Sequence, residues 1–184
     1  WGDPSAVSIR NVGSMVTNAN STRGELNEAV RRLNVRVKKR PQDRTSWYYL
    51  ALAYFKAERF SDATKAFAMV QAPGDAPLID VEVHWAQAAF LAAGGILDTD
   101  ALRIVERIQT YRTDHPSVLE LLTLDAVQRR LHERVVNYSD RALRQEIVGV
   151  QRDFFERALI TARSQLSSAR PYLNVVVDVR TIPK

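Results

Sequence analysis

Residues 45–70 read TSWYYLALAYFKAERFSDATKAFAMV, and the spacing inside this stretch decides the fold. Trp47, Leu50, Ala51, Tyr54 and Phe55 recur three or four residues apart, so they share one face of a helix expected over 47–57. Glu58-Arg59 leaves room only for a tight turn. A second helix is expected over 61–70, with Ser61 as its N-cap. Ala51 and Ala63 are small enough to let the two helices cross closely, and the aromatic residues fill the space around the crossing.

Pro41, Trp47, Leu50, Ala51, Tyr54, Ala63 and Phe67 together resemble the tetratricopeptide (TPR) pattern. Working outward, Leu26, Ala29, Val30, Leu33 and Val37 make one apolar stripe on an earlier helix, which Arg40-Pro41 ends. Ala29 and Ala63 stand 34 residues apart, the length of one such unit. A third unit over 81–108 carries Trp85, Ala86 and Ala89, then a Gly94-Gly95 turn, then Ala101, Val105 and Ile108. The loop around Pro73-Gly74-Asp75-Ala76-Pro77 adds a few residues before it. In a fourth unit Leu119, Leu122 and Ala126 precede Val135, Tyr138 and Ala142, and Leu119 to Val135 repeats the step of 16 residues from Trp47 to Ala63. Ile147, Val150, Phe154, Ala158, Ala162 and Leu166 then give a longer helix, of the kind that covers the last open face of a solenoid. The expectation is an all-α, helix-turn-helix solenoid over 25–166, with three to four units and a capping helix.

The two ends read differently. Gly2, Pro4, Gly13 and Gly24 punctuate a Ser/Asn/Thr-rich stretch over 1–24, which reads as a linker. The chain opens on Trp1 rather than Met, as a processed chain or an excised fragment does. Over 167–184, Leu173, Val175, Val177 and Val179 alternate with Asn174, Asp178 and Arg180, a strand-like tail or the start of a further domain. A lone strand is not stable by itself.

Composition narrows the chemistry. Hydrophobic residues make up 46% of the 184 and charged residues 26%, so a packed core is affordable and general disorder is excluded. Only 7 Gly and 7 Pro occur, which favours helices. Cysteine is absent, which excludes disulfides, thiolate metal sites and Cys nucleophiles. His84, His115 and His132 fall in different units, and Asp98, Asp100, Asp114 and Asp125 do not make an EF-hand series. No nucleophile elbow, phosphate loop or dinucleotide fingerprint occurs. The expectation is a protein that is not an enzyme and carries no metal or cofactor. The net charge of +5 and the residues Arg129, Arg130, Arg134, Arg141 and Arg144 allow a phosphate-contacting ridge. A solvated helical face with i, i+4 charge pairs is the favoured reading of them. No nucleic-acid motif accompanies them, and a nucleic-acid partner is not expected.

The positive signal is a groove. The first helices of stacked hairpins line an extended surface. Counting from Trp47 places Tyr48, Leu52, Phe55 and Lys56 on it. The same count gives Val83, Gln87, Phe90 and Leu91 in the third unit, and Glu120, Leu124, Val127 and Gln128 in the fourth. This mixed aromatic, aliphatic and amide surface with one cation suits a peptide or helix with apolar anchors and an acidic or carboxylate end. Leu52 and Leu124 can also be read as packing between units.

A more specific likeness lies in 85–97, WAQAAFLAAGGIL, followed by Ala101-Leu102, Asp114-His115-Pro116, Val135-Val136-Asn137-Tyr138 and Ala142-Leu143. These stretches resemble the periplasmic TPR region of the CcmI/CycH/NrfG family of bacterial cytochrome c maturation, across roughly residues 25 to 145. The resemblance implies a periplasmic module tethered to the inner membrane by a preceding segment. Its implied partners are the C-terminal helix of an apocytochrome c and the subunits of a haem-ligation complex. It also implies that haem is attached by those partners rather than by this chain. The alternative of another class is a non-catalytic scaffold of some other cell-envelope assembly.

Overall fold

The computed structural model describes residues 9–71 and 76–168, which form helices α1 (Ile9–Thr17), α2 (Arg23–Lys39), α3 (Arg44–Lys56), α4 (Phe60–Ala68), α5 (Ile79–Ala92), α6 (Thr99–Tyr111), α7 (Pro116–Gln128), α8 (His132–Leu143) and α9 (Gly149–Ser168). No strand occurs among the described residues, and the strand-like alternation over 173–180 lies outside them. The helices pair as four hairpins, α1/α2, α3/α4, α5/α6 and α7/α8, and α9 closes the stack against α8 and α7. First helices of neighbouring hairpins also meet, α1 on α3 and α5 on α7. No helix among the described residues is long and apolar enough to cross a membrane.

The small residues sit where the spacing puts them. Ala29, Ala63, Ala101 and Ala142 on the second helices are fully buried, as are Ala51 and Ala86 on the first. Thr123 occupies the place of Ala51 in α7 and keeps its hydroxyl satisfied by donating to the Leu119 carbonyl at 2.7 Å. The Trp47 indole donates to the Pro41 carbonyl at 2.8 Å, and the Tyr54 hydroxyl accepts from the Asn34 amide at 2.8 Å, pinning α3 to α2. Phe67 is buried in a cluster with Leu33, Leu50 and Val16, and Trp85 bridges that cluster to the next one around Ile104, Ile108 and Val118. The apolar interior therefore runs from hairpin to hairpin.

Residues 1–24 are not simply a linker. Ile9, Val12 and Val16 form a short apolar stripe on α1, and Val12, Gly13 and Val16 are buried. The stripe has only three members among Ser and Asn residues, and Gly13 reads as a breaker in sequence. In the fold Gly13 is a contact point: a Cβ there would lie 2.7 Å from Tyr49 Cζ. The chain turns at Asn18–Ser21 and restarts on a capping box, Thr22 with Glu25, so α1 supplies the first helix of the first hairpin.

Two other boundaries differ from expectation. Helix α4 starts at Phe60 with Arg59 in the N-cap position and no side-chain cap, so Ser61 is not the cap. Arg59 is spent on Asp62, at 2.6 Å, and on the ring of Tyr54, 4.6 Å from its centroid. At the other end α9 begins at Gly149, which stands at φ 60°, so Ile147 lies before the helix. The buried stripe of α9 is Phe155, Leu159 and Ala162, and Val150 is 82% exposed. The expected stripe through Val150 assumed one uninterrupted helix from Ile147.

Candidate functional site

The turns inside the hairpins set the register of the first helices. Arg59 N–H donates to the Tyr54 carbonyl at 2.9 Å, Gly95 N–H to Phe90 at 2.9 Å and Leu131 N–H to Ala126 at 2.8 Å. Each bond closes over one left-handed residue: Glu58 at φ 59°, Gly94 at φ 74°, Arg130 at φ 56°. These are Schellman endings, and they align the three hairpins residue by residue. Tyr54, Phe90 and Ala126 then hold one equivalent place, Phe55, Leu91 and Val127 the next, and Lys56, Ala92 and Gln128 the one after.

This alignment shifts the third unit by one residue from the sequence count, because Glu58, Gly94 and Arg130 stand 36 residues apart whereas the count steps 35 residues from Tyr48 to Val83. Phe90 and Val83 are accordingly only 5% and 6% exposed, packed with Leu97 and Ile104 instead of facing outward. Gln87 is half-buried at the place of Ala51 and Thr123, also turned inward. The row that does recur on the first helices is Phe55, Leu91 and Val127. Leu91 is 40% and Val127 49% exposed; Phe55 is half-buried edge-on against Phe60, with ring centroids 5.6 Å apart.

The remaining expected residues divide by role. Leu52 and Leu124 are half-buried against the core clusters, joining the units. Tyr48 lies between Tyr49 and Phe67, with centroids 5.8 and 6.4 Å away. Burial, and then the nearby Asp80 carboxylate, push its phenol above the ordinary value. The polar members fasten one unit to the next. Lys56 Nζ donates to the Asn18 carbonyl at 2.8 Å, Gln128 donates its amide to the Gly95 carbonyl, and Glu120 accepts from Gln151 Nε2 at 2.9 Å. Two members of the arginine ridge are similarly engaged: Arg129 binds Asp125 at 2.9 Å and the Leu97 carbonyl at 3.1 Å, and Arg141 binds Asp114 at 2.6 Å, while Arg130, Arg134 and Arg144 are exposed.

No protein-family model and no curated protein matches the chain. Solved structures do. The chain is similar to the crystal structure of MamA, with a TM-score of 0.58 at 14% identity over 81% of this chain and 93% of that one. It is also similar to a MamA RS-1 ArsTM double mutant, with a TM-score of 0.62 at 16% identity over 92% and 98% of the two chains. The fold is a TPR-type helical solenoid. At this identity the likeness carries the architecture alone, and the face of Phe55, Leu91 and Val127 has to be read from its own chemistry.

One buried group had no signal in the sequence. Glu82, on α5, is fully buried and accepts from Arg107 Nε of α6 at 2.8 Å, while the guanidinium sits 5.2 Å from the Trp85 ring centroid. The pair is separated by 25 residues with no periodic relation, so only the hairpin geometry brings it together. Its place inside the third hairpin makes it a fastener of α5 to α6.

Proposed function

We propose that this chain is a non-catalytic polypeptide-binding module that uses the first-helix face. The observation that carries the reading is the row Phe55, Leu91 and Val127, one apolar residue at the same place in each turn of the hairpins α3/α4, α5/α6 and α7/α8. A repeating step of apolar side chains matches the anchors of an amphipathic segment laid across the units. Because Lys56, Glu120 and Gln128 are already bonded within the stack, specificity rests on the apolar row more than on a fixed polar clamp.

The client we favour is the C-terminal helix of an apocytochrome c, presented to a periplasmic haem-ligation complex, with the module tethered to the inner membrane and holding no cofactor itself. Support for that finer reading is the likeness of residues 85–97, 114–116 and 135–143 to the CcmI/CycH/NrfG family. Fluorescence anisotropy with a labelled apocytochrome c C-terminal peptide tests it. Micromolar or tighter binding that weakens in Leu91→Asp is the expected result. Binding of other amphipathic helices with equal strength would leave a general scaffold in its place.

A further inference from the structure

The apolar row ends at a cavity. Between α8 and α9, at the turn that follows α7, lies a crevice of about 300 Å³, at the small end of the range for ligand sites. Val127, the last member of the row, forms part of its wall together with Val135, Phe154 and Ala158. The crevice exists because α9 meets α8 through small residues: Ala158 and Ala162 pack near Val135, and no large side chain fills the space beside them.

The mouth is cationic. His132 and Arg157 are the basic residues of the lining, and no carboxylate is among the lining residues. Arg157 makes no ion pair among the described residues; its Nε donates only to the Asp153 carbonyl, one turn back. Of the acidic residues nearby, Glu156 and Asp140 are paired with Arg152 and Arg163, at 2.9 and 3.1 Å, while Asp153, one turn before Arg157, and Glu133, next to His132, are exposed outside the lining. His132 is the first residue of α8, whose N-cap position is Leu131 and offers no side-chain acceptor; the positive end of the helix dipole faces the same rim and is partly offset by Glu133 in the first turn. Arg130 and Arg134, both exposed, flank it in the chain.

We infer that this crevice is the anchor pocket of the module and takes one large apolar side chain of a client segment whose flanking residues are acidic. The inference rests on the polypeptide-binding reading above and adds to it a place and a charge. Apolar lining sets the anchor, the unpaired Arg157 and the rim of α8 set the sign of its neighbours, and continuity with Leu91 and Val127 sets the direction from which the segment arrives. A dry apolar hole with a cationic rim would also take a fatty acid; the apolar row leading into it favours a polypeptide.

The probe is a short fluorescein-labelled peptide with one central Phe among Glu residues, titrated into the full chain, with a Phe→Ala peptide, a Glu→Lys peptide and dodecanoate run alongside. The expected result is binding of the Phe/Glu peptide that falls at least about tenfold with either altered peptide. A comparable fall is expected in Arg157→Glu, an exposed change, and in Ala158→Trp, which fills the hole; thermal melts check that both fold. Undiminished binding by Arg157→Glu overturns the inference while leaving polypeptide binding in place. Binding of dodecanoate without the peptide overturns it in favour of a lipid. Loss of every polypeptide ligand, the apocytochrome peptide included, removes the broader reading as well.

Discussion

Gly13 of α1 lies against the ring of Tyr49 of α3, so close that a Cβ would stand 2.7 Å from Cζ and 3.0 Å from the hydroxyl oxygen. This contact makes α1 a full member of the stack. In an open helix a glycine is a defect worth about 1 kcal/mol against alanine, but here a side chain must displace a ring that is itself packed on the first cluster. Gly13→Val should therefore destabilise the fold by about 1–3 kcal/mol. Chemical denaturation measures it, and adding Tyr49→Ala should recover part of the loss. If Gly13→Val is as stable as the parent, α1 is not docked as described.

The Glu82–Arg107 pair gives a second, independent check on the hairpin packing. Removing Arg107 leaves a buried carboxylate without its donor, whereas removing both charges leaves only apolar surface to repack. Because Arg107 is partly exposed, the expected cost of Arg107→Leu is about 2 kcal/mol, toward the low side for breaking a buried pair. The double change Glu82→Leu with Arg107→Leu should cost less than Arg107→Leu alone. Additive losses across that cycle would contradict the pairing.

Stability should also fall on acidification in two stages. Burial, and then the nearby Arg112, hold the His115 imidazole below its ordinary value of 6.5, with Asp80 opposing. A histidine with a depressed folded pKa binds fewer protons folded than unfolded, so its contribution is present above the unfolded value of about 6.5 and is lost as pH drops through the folded pKa. The urea midpoint should thus decrease as pH falls from above about 6.5 through that lower value, and His115→Gln should reduce the decrease. The second stage belongs to carboxylates. For Asp43 burial pushes upward, but the hydrogen bonds from Ser46 and Arg36 outweigh it and hold the group below 3.8. That contribution is present above the unfolded value and disappears under strongly acidic conditions, and Asp43→Asn should remove it.

On the binding face, Lys56 and Leu91 should behave differently. Lys56 already donates to Asn18, so Lys56→Ala is expected to change client affinity by less than about threefold. Leu91 is free on the face, and Leu91→Asp is expected to weaken binding by about tenfold or more. A titration series on the two variants separates them. The reverse order would place recognition on charge instead of the apolar row.

How far the sequence carried the fold follows from where its signals are local. The hairpins over 44–68, 79–111 and 116–143 were legible because small and aromatic residues recur at helical spacing on either side of short turns, and Ala51, Ala63, Ala86, Ala101 and Ala142 are buried. Helix α1 was not, because its stabilisation is a tertiary contact of Gly13 with Tyr49, and a glycine among serines reads locally as a turn. The face was legible in part. Phe55, Leu91 and Val127 were among the expected residues, but Phe90 was expected outward because the count stepped 35 residues into the third unit, whereas the turns at Glu58, Gly94 and Arg130 stand 36 residues apart. Glu82 with Arg107, and the crevice beside Ala158, depend on how helices meet and leave no periodic trace.

Mapping amide chemical-shift changes of the isotopically labelled chain during titration with an apocytochrome c C-terminal peptide addresses the central claim most directly. The account expects the largest changes at the ends of α3, α5 and α7, around Phe55, Leu91 and Val127. Saturable changes confined to the outer faces of α2, α4 and α6, or no saturable change at all, would contradict it.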